Sequence, residues 1–144
     1  SSVSDYNHIF GKYDYGDDDK WVILRVYNGT WQFYIRQSDN VSAGGTFSSL
    51  TPPSTTAWMH VVGTVDDTTL RMYVNGVQSS TTYGYSTIKN HTNDTPLYLG
   101  SRYTGDYTPI SGYMDQAAIW NRALTQQEIS DLYNNGNGRA YREF

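Results

Sequence analysis

Apolar and polar residues alternate along most of the 144-residue chain in short runs, with turn residues between the runs. Alternation with period two puts every second side chain on one face, which is the pattern of a half-buried strand. His8 to Tyr13 reads as a first strand and Trp21 to Tyr27 as a second, with the loop Tyr15 to Asp19 between them. Asn28-Gly29 follows as a tight hairpin turn, because both residues tolerate the positive φ such a turn needs. Trp31 to Gln37 returns as the partner strand. Ser38 to Ala57 is polar, holds Gly44-Gly45 and Pro52-Pro53, and reads as loop or sheet edge. Trp58 to Val65 and Leu70 to Val74 make a second hairpin around Asp66 to Thr68, and Asn75-Gly76 turns the chain again into Val77 to Thr82. Tyr83 to Asp94 reads as polar loop, Pro96 to Gly100 as a short strand, and Gly112 to Trp120 as the last long strand.

One helix follows. Thr125-Gln126-Gln127-Glu128 is a capping box, Ile129, Leu132 and Tyr133 recur at helical spacing, and Gly136 can stop the helix. A helix this short persists only when it docks on something larger. Many short strands and one terminal helix predict an all-β fold: an antiparallel β-sandwich, or jelly roll, with one short C-terminal helix. The whole of residues 1–144 forms a single domain, read as part of a longer chain or assembly.

Composition narrows the function classes. Charged residues are 17% of the chain and the formal net charge is -4, with no basic stripe, so neither nucleic acid nor an anionic membrane surface is an expected partner. No apolar run is long enough to insert in a membrane as a helix. The absence of cysteine excludes disulfides and thiolate metal sites. Fourteen Tyr and four Trp exceed what one core needs. Four sequons occur, at Asn28, Asn40, Asn90 and Asn93. Chance alone gives roughly two at this content of Asn, Ser and Thr. They read either as turn-rich composition or as the mark of a glycosylated, extracellular protein.

Catalytic patterns are missing. The only glutamates are Glu128 and Glu143, and Glu128 belongs to the capping box. Asp115 stands alone in an apolar run, and no nucleophile elbow, zinc-binding helix or phosphate loop occurs. His60, inside the Trp58 strand, reads as a structural histidine. The chain is therefore not expected to be an enzyme. Recognition is the remaining class. Loop aromatics suit the apolar face of a sugar ring: Tyr83, Tyr85, Tyr103 and Tyr107, with Arg102 and Asp106 beside them and Tyr13 and Tyr15 as a second group. The alternative is that these rings pack on neighbouring strands. Trp21, Trp31, Trp58 and Trp120 read as core or inter-sheet rings.

Two blocks carry a resemblance. WMHVVGTVDDTTLRMYVNGV (Trp58 to Val77) and GYMDQAAIWNRALTQQEISDLYNNG (Gly112 to Gly136) resemble, in this order, signature segments of the laminin-G-like domains of the concanavalin A-like lectin/glucanase superfamily. The resemblance covers about residues 7–136 and implies the sandwich already read from periodicity. Asp66-Asp67 and Asn75-Gly76 serve turns and Thr125 and Glu128 a helix cap, so these residues identify a fold rather than a catalytic centre. Glucanases of the superfamily bear two or three carboxylates at alternating strand positions, a run this chain lacks. Relatives of the laminin-G and pentraxin type hold Ca²⁺ at the sandwich rim through oxygen donors. That makes Asp17, Asp18 and Asp19 candidate ligands, with Asp39, Asn40, Asn93, Asp94 and Asp106 as further donors, against a reading of all of them as solvated loop residues. The family's opening strands are missing from the pattern. A truncated chain, a processed fragment, or strands supplied by a neighbouring subunit would each explain this. The expected function is a non-catalytic extracellular recognition or adhesion module for glycans or surface proteins. The alternative is a structural subunit that pairs with copies of itself in a filament or surface layer.

Overall fold

The computed structural model describes residues 6–14, 19–37, 42–54, 56–66, 68–87, 96–101 and 109–139. In chain order the elements are β1 (Tyr6–Asp14), β2 (Asp19–Tyr27), β3 (Thr30–Arg36), β4 (Ser42–Thr46), β5 (Val61–Asp66), β6 (Thr69–Val74), β7 (Val77–Gln78), β8 (Tyr83–Gly84), β9 (Tyr98–Leu99) and helix α1 (Gln126–Tyr133). A five-stranded sheet has the order β4-β3-β2-β1-β9, and a four-stranded sheet the order β5-β6-β7 with β8 also paired to β6. All these ladders are antiparallel.

Alternation explains how the sheets meet. Val22, Leu24 and Val26 of β2, Trp31, Phe33 and Ile35 of β3, and Leu70, Met72 and Val74 of β6 point into one shared core, closed by Phe47 and Leu50. The intervening residues Arg25, Tyr27 and Tyr34 therefore line the opposite face of the first sheet. Gly63 is small because the Phe33 ring occupies its place: a Cβ there would sit 2.9 Å from the ring. Both predicted Asn-Gly hairpins form, with φ of +47 and +69 at Asn28-Gly29 and +52 and +76 at Asn75-Gly76.

The helix docks on the outer face of the second sheet. Ile129 and Leu132 pack with Leu124, Tyr73 and Val62, and the Gln126 side-chain amide donates to the Gly76 carbonyl at 2.7 Å. Thr125 caps the helix as read. Its hydroxyl accepts from the Glu128 N–H, and its own N–H donates to the Glu128 carboxylate at 2.7 Å. The helix stops at left-handed Asn134, two residues ahead of Gly136. None of the described helices is long and apolar enough to cross a membrane.

Three expectations need correction. Gly112 to Trp120 is not a strand: from Tyr113 to Trp120 the chain joins no sheet and makes no turn or bend. The apolar pattern is there, but no described strand forms a ladder with it, and Gln116 interrupts it at φ +51. Trp58 is not a core ring. It lies three residues ahead of β5 and is 69% exposed, because the core beside Phe33 is already closed by Phe47 and Leu50. Trp31 is buried, as expected, and Trp120 is half-buried against the helix cluster. The Trp21 side chain lies outside the described residues. Tyr83–Gly84 forms a short strand where loop is expected, because its edge finds β6.

Candidate functional site

The loop after β4 is held at both ends. Trp31 donates its indole N–H to the Thr51 carbonyl at 2.7 Å. Ser54 folds the loop locally, its hydroxyl oxygen accepting from the N–H groups of Thr56 at 3.2 Å and Ala57 at 3.0 Å. The Ser54 N–H in turn faces the Met59 sulfur at 3.1 Å. At the far end His60 and Asn75 exchange bonds. The His60 N–H donates to Asn75 Oδ1 at 3.0 Å, and the Asn75 N–H donates to the His60 carbonyl at 2.8 Å. Trp58 stands between these anchors. Val61 pairs with Val74, so Trp58 projects past the end of β6, at the end of the sheet that carries the Asn75-Gly76 turn. Val77, also exposed, opens β7 just beyond that turn.

The exposed apolar surface continues elsewhere. Leu97 and Leu99 flank or form β9, at the edge of the first sheet. Met114 reaches Gly100, where its sulfur would lie 3.6 Å from an added Cβ. Tyr113 is 88% and Ile119 65% exposed. Among the described residues, these with Trp58 and Val77 make seven large apolar side chains in solvent, two of them aromatic.

His60 binds this rim to the helix. Its ring stacks on Tyr133 at 6.1 Å with 19° between the planes, and Nδ1 is buried without a hydrogen-bond partner. Burial pushes its pKa below the ordinary 6.5. The structural role read from the sequence fits this packing, while the unpaired nitrogen goes beyond it.

The described candidate tyrosines serve packing. The Tyr83 hydroxyl donates to the Thr46 carbonyl at 2.9 Å, and its ring meets Phe47 edge-on at 5.1 Å. Tyr83 lies so close to Gly45 that a Cβ there would approach within 2.4 Å. Tyr85 is half-buried against the core. Arg102, Tyr103, Asp106 and Tyr107 lie outside the described residues, as do Asp17, Asp18, Asn40, Asn90 and Asn93. Asp19 opens β2, with its backbone paired to Asp14. Asn28 sits exposed at the tip of the β2–β3 turn, open to modification.

Sequence reasoning missed one organised polar array. On the outer face of the first sheet Arg25 Nε donates to Gln32 at 2.8 Å, and the Gln32 amide donates to Thr46 at 2.9 Å. The Arg25 guanidinium lies 5.6 and 5.5 Å from the ring centres of Tyr27 and Tyr34. The signal is the period-two spacing of Arg25 and Tyr27 and the pairing of Arg25 with Gln32. Gln32 is buried, so the array fixes register across three strands rather than offering an open face.

Four of the described carboxylates serve local structure. Asp66 pairs with Arg71 at the β5–β6 turn. Asp115 accepts from the Gln116 N–H at 2.8 Å, and Asp131 accepts from Gln127 at 2.8 Å. Glu128 is gripped by both Arg122 nitrogens, at 2.8 and 2.6 Å. Arg122, then the Thr125 N–H, pulls the Glu128 pKa down to about 2.

Comparison with known proteins agrees with this architecture. No curated protein matches the chain. Among solved structures, an S-layer domain-containing protein from Clostridium thermocellum ATCC 27405 is similar, with 23% sequence identity and a TM-score of 0.48. The similarity covers 89% of this chain and 63% of that one, so the chain spans less than two thirds of the solved fragment's length. The laminin G family model described as the concanavalin A-like lectin/glucanases superfamily matches residues 1–130, and the chain belongs to that family.

Proposed function

We propose that this chain is a non-catalytic recognition module of the cell exterior that binds glycans through the rim around Trp58. The observation that carries this is the ring itself, set 69% in water on a loop whose backbone is anchored on both sides. Holding a large aromatic in that position costs solvation, and stacking on an apolar sugar face recovers it. The polar groups of the same loop, Ser54 and Thr56, are exposed and suited to sugar hydroxyls. A purely binding role is supported by the carboxylates. Glu128 serves a cap and Asp66 a turn, and among the described residues the partners of neither include the second acid that glycoside hydrolysis requires beside it. An extracellular setting is supported by the sequons, with Asn28 exposed. Calcium at Asp17 to Asp19 remains part of the proposal and is tested with it.

The test is retention on immobilised β-glucan, xylan, mannan and galactan, in calcium and in chelator. Wild type should be held by at least one of them. Trp58→Ala should weaken retention about tenfold, the worth of one stacked ring, without changing the urea midpoint. No retention on any polysaccharide in either condition would contradict glycan binding. A second reading, a structural subunit that pairs with its own kind, is favoured by the exposed apolar side chains of Tyr113, Met114 and Ile119.

A further inference from the structure

Four asparagine-glycine pairs occur in the chain: Asn28-Gly29, Asn75-Gly76, Asn135-Gly136 and Asn137-Gly138. In such a pair no side chain shields the glycine nitrogen, which can attack the amide carbon of the asparagine before it. The residues are the same in all four, so the fold sets their reactivity apart. Attack needs the asparagine to leave its folded dihedrals, and a firmly held backbone opens rarely. Three of the pairs are tied down. Asn75 Oδ1 accepts from the His60 N–H at 3.0 Å, and the Asn75 N–H donates to the His60 carbonyl at 2.8 Å. Gln126 donates to the Gly76 carbonyl at 2.7 Å, and the Tyr133 ring lies 3.2 Å from where a Cβ on Gly76 would stand. Asn135-Gly136 and Asn137-Gly138 lie in the loop that ends the helix. There the Gly138 N–H donates to the Tyr133 carbonyl at 3.2 Å, and the Asn134 amide donates to the Gly138 carbonyl at 3.1 Å. The Asn137 N–H and side-chain amide both donate to the Asn134 carbonyl, at 3.1 and 3.2 Å.

Asn28-Gly29 stands in water at the tip of the β2–β3 hairpin. Both residues are exposed, and a Cβ added to Gly29 would meet nothing within 4 Å. The Thr30 hydroxyl donates to the Asn28 carbonyl at 3.4 Å, long for two oxygens. We infer that Asn28 is a site of spontaneous deamidation, the first of the four pairs to react. The Gly29 nitrogen bonds to Cγ of Asn28 and gives up its proton, and the side-chain nitrogen leaves as ammonia. Water then adds to the cyclic imide and breaks one of its two carbon–nitrogen bonds. The product is an aspartate, linked through either its α or its β carboxyl group. One water enters and one ammonia leaves, with no other reactant. The reaction adds a negative charge to a chain of formal net charge -4. The β-linked form also lengthens the main chain between Tyr27 and Thr30, the pair that closes the β2–β3 ladder. Because Asn28 heads a sequon, a glycan on its Nδ2 would hold the nitrogen that must leave and would block the reaction.

The test ages unglycosylated protein, checked by intact mass, at mildly alkaline pH and follows all four pairs by peptide fragmentation in the mass spectrometer. A converted asparagine is heavier by the difference between a hydroxyl and an amino group, and its β-linked form is a substrate for isoaspartyl methyltransferase. Asn28 should convert at least about tenfold faster than Asn75, because three hydrogen bonds hold the Asn75-Gly76 turn. Gln126→Ala, which frees the Gly76 carbonyl, should speed conversion at Asn75 about threefold and leave Asn28 unchanged. In guanidinium the four rates should converge, because the unfolded chain no longer distinguishes the pairs. An Asn28 that stays intact, or that converts no faster than the other three, would overturn the inference. So would a ranking that survives in guanidinium, or an Asn75 rate that ignores Gln126→Ala, because the fold would then not set the order. Retention on polysaccharide is read on fresh protein, so the glycan proposal and this one fail separately.

Discussion

Small residues in this chain are set by the rings they face. Gly63 lies under Phe33 and Gly45 under Tyr83. A methyl group at Gly63 must displace a core ring, and Gly63→Ala should cost about 1–3 kcal/mol in urea unfolding. Tyr83→Phe keeps the ring and removes only the bond to the Thr46 carbonyl, a loss of about 0.5–1.5 kcal/mol. If Tyr83 contacts ligand instead, that variant should change retention and leave stability alone. His60 makes stability depend on pH. Burial lowers its pKa in the fold, so below 6.5 the unfolded chain takes up a proton that the folded chain resists. The His60 contribution is fully present above 6.5 and declines as pH falls through the folded value. Urea midpoints between pH 7.5 and 5 should fall for wild type and stay flatter for His60→Gln. Glu128 acts in a lower window: its contribution is present above 4.5 and is lost as pH falls toward about 2. None of this is legible in sequence beyond the residue types, because burial and an unpaired nitrogen depend on neighbours far along the chain.

At the scale of elements, sequence reading succeeded where the signal is local. Asn28-Gly29 and Asn75-Gly76 announce their turns because positive φ is a property of two adjacent residues. Thr125 and Glu128 announce the helix start because a capping box spans four residues. Removing the cap, Thr125→Ala, should cost about 0.5–2 kcal/mol. Ile129→Ala, which empties the fully buried contact between helix and sheet, should cost about 2–5 kcal/mol. No loss from Ile129→Ala would mean that the helix is held by its cap alone. The reading failed where an element depends on a distant edge. GYMDQAAIW has the alternation of a strand, yet a strand exists only when a neighbour completes its ladder. Tyr83-Gly84 has little strand pattern and pairs because the β6 edge lies beside it.

Across the whole molecule, the fold class was legible because many alternating runs admit few architectures, and the two sheets and the family match agree with it. The candidate site was less legible. The sequence points to tyrosines, and the two that are described, Tyr83 and Tyr85, serve the space between the sheets. It assigned Trp58 to the core, and the structure sets it on the rim, since a Trp at the head of a strand reads the same in either place. The acrylamide quenching of tryptophan fluorescence tests the rim most directly, on whichever polysaccharide retains the protein. Trp31 is buried and Trp58 open to solvent, so the free protein should show an accessible and a shielded emission. Saturating polysaccharide should shrink the accessible part in wild type, and Trp58→Ala should start with a smaller accessible part that polysaccharide leaves unchanged. Retention with unchanged quenching would contradict the account and move the binding surface away from Trp58.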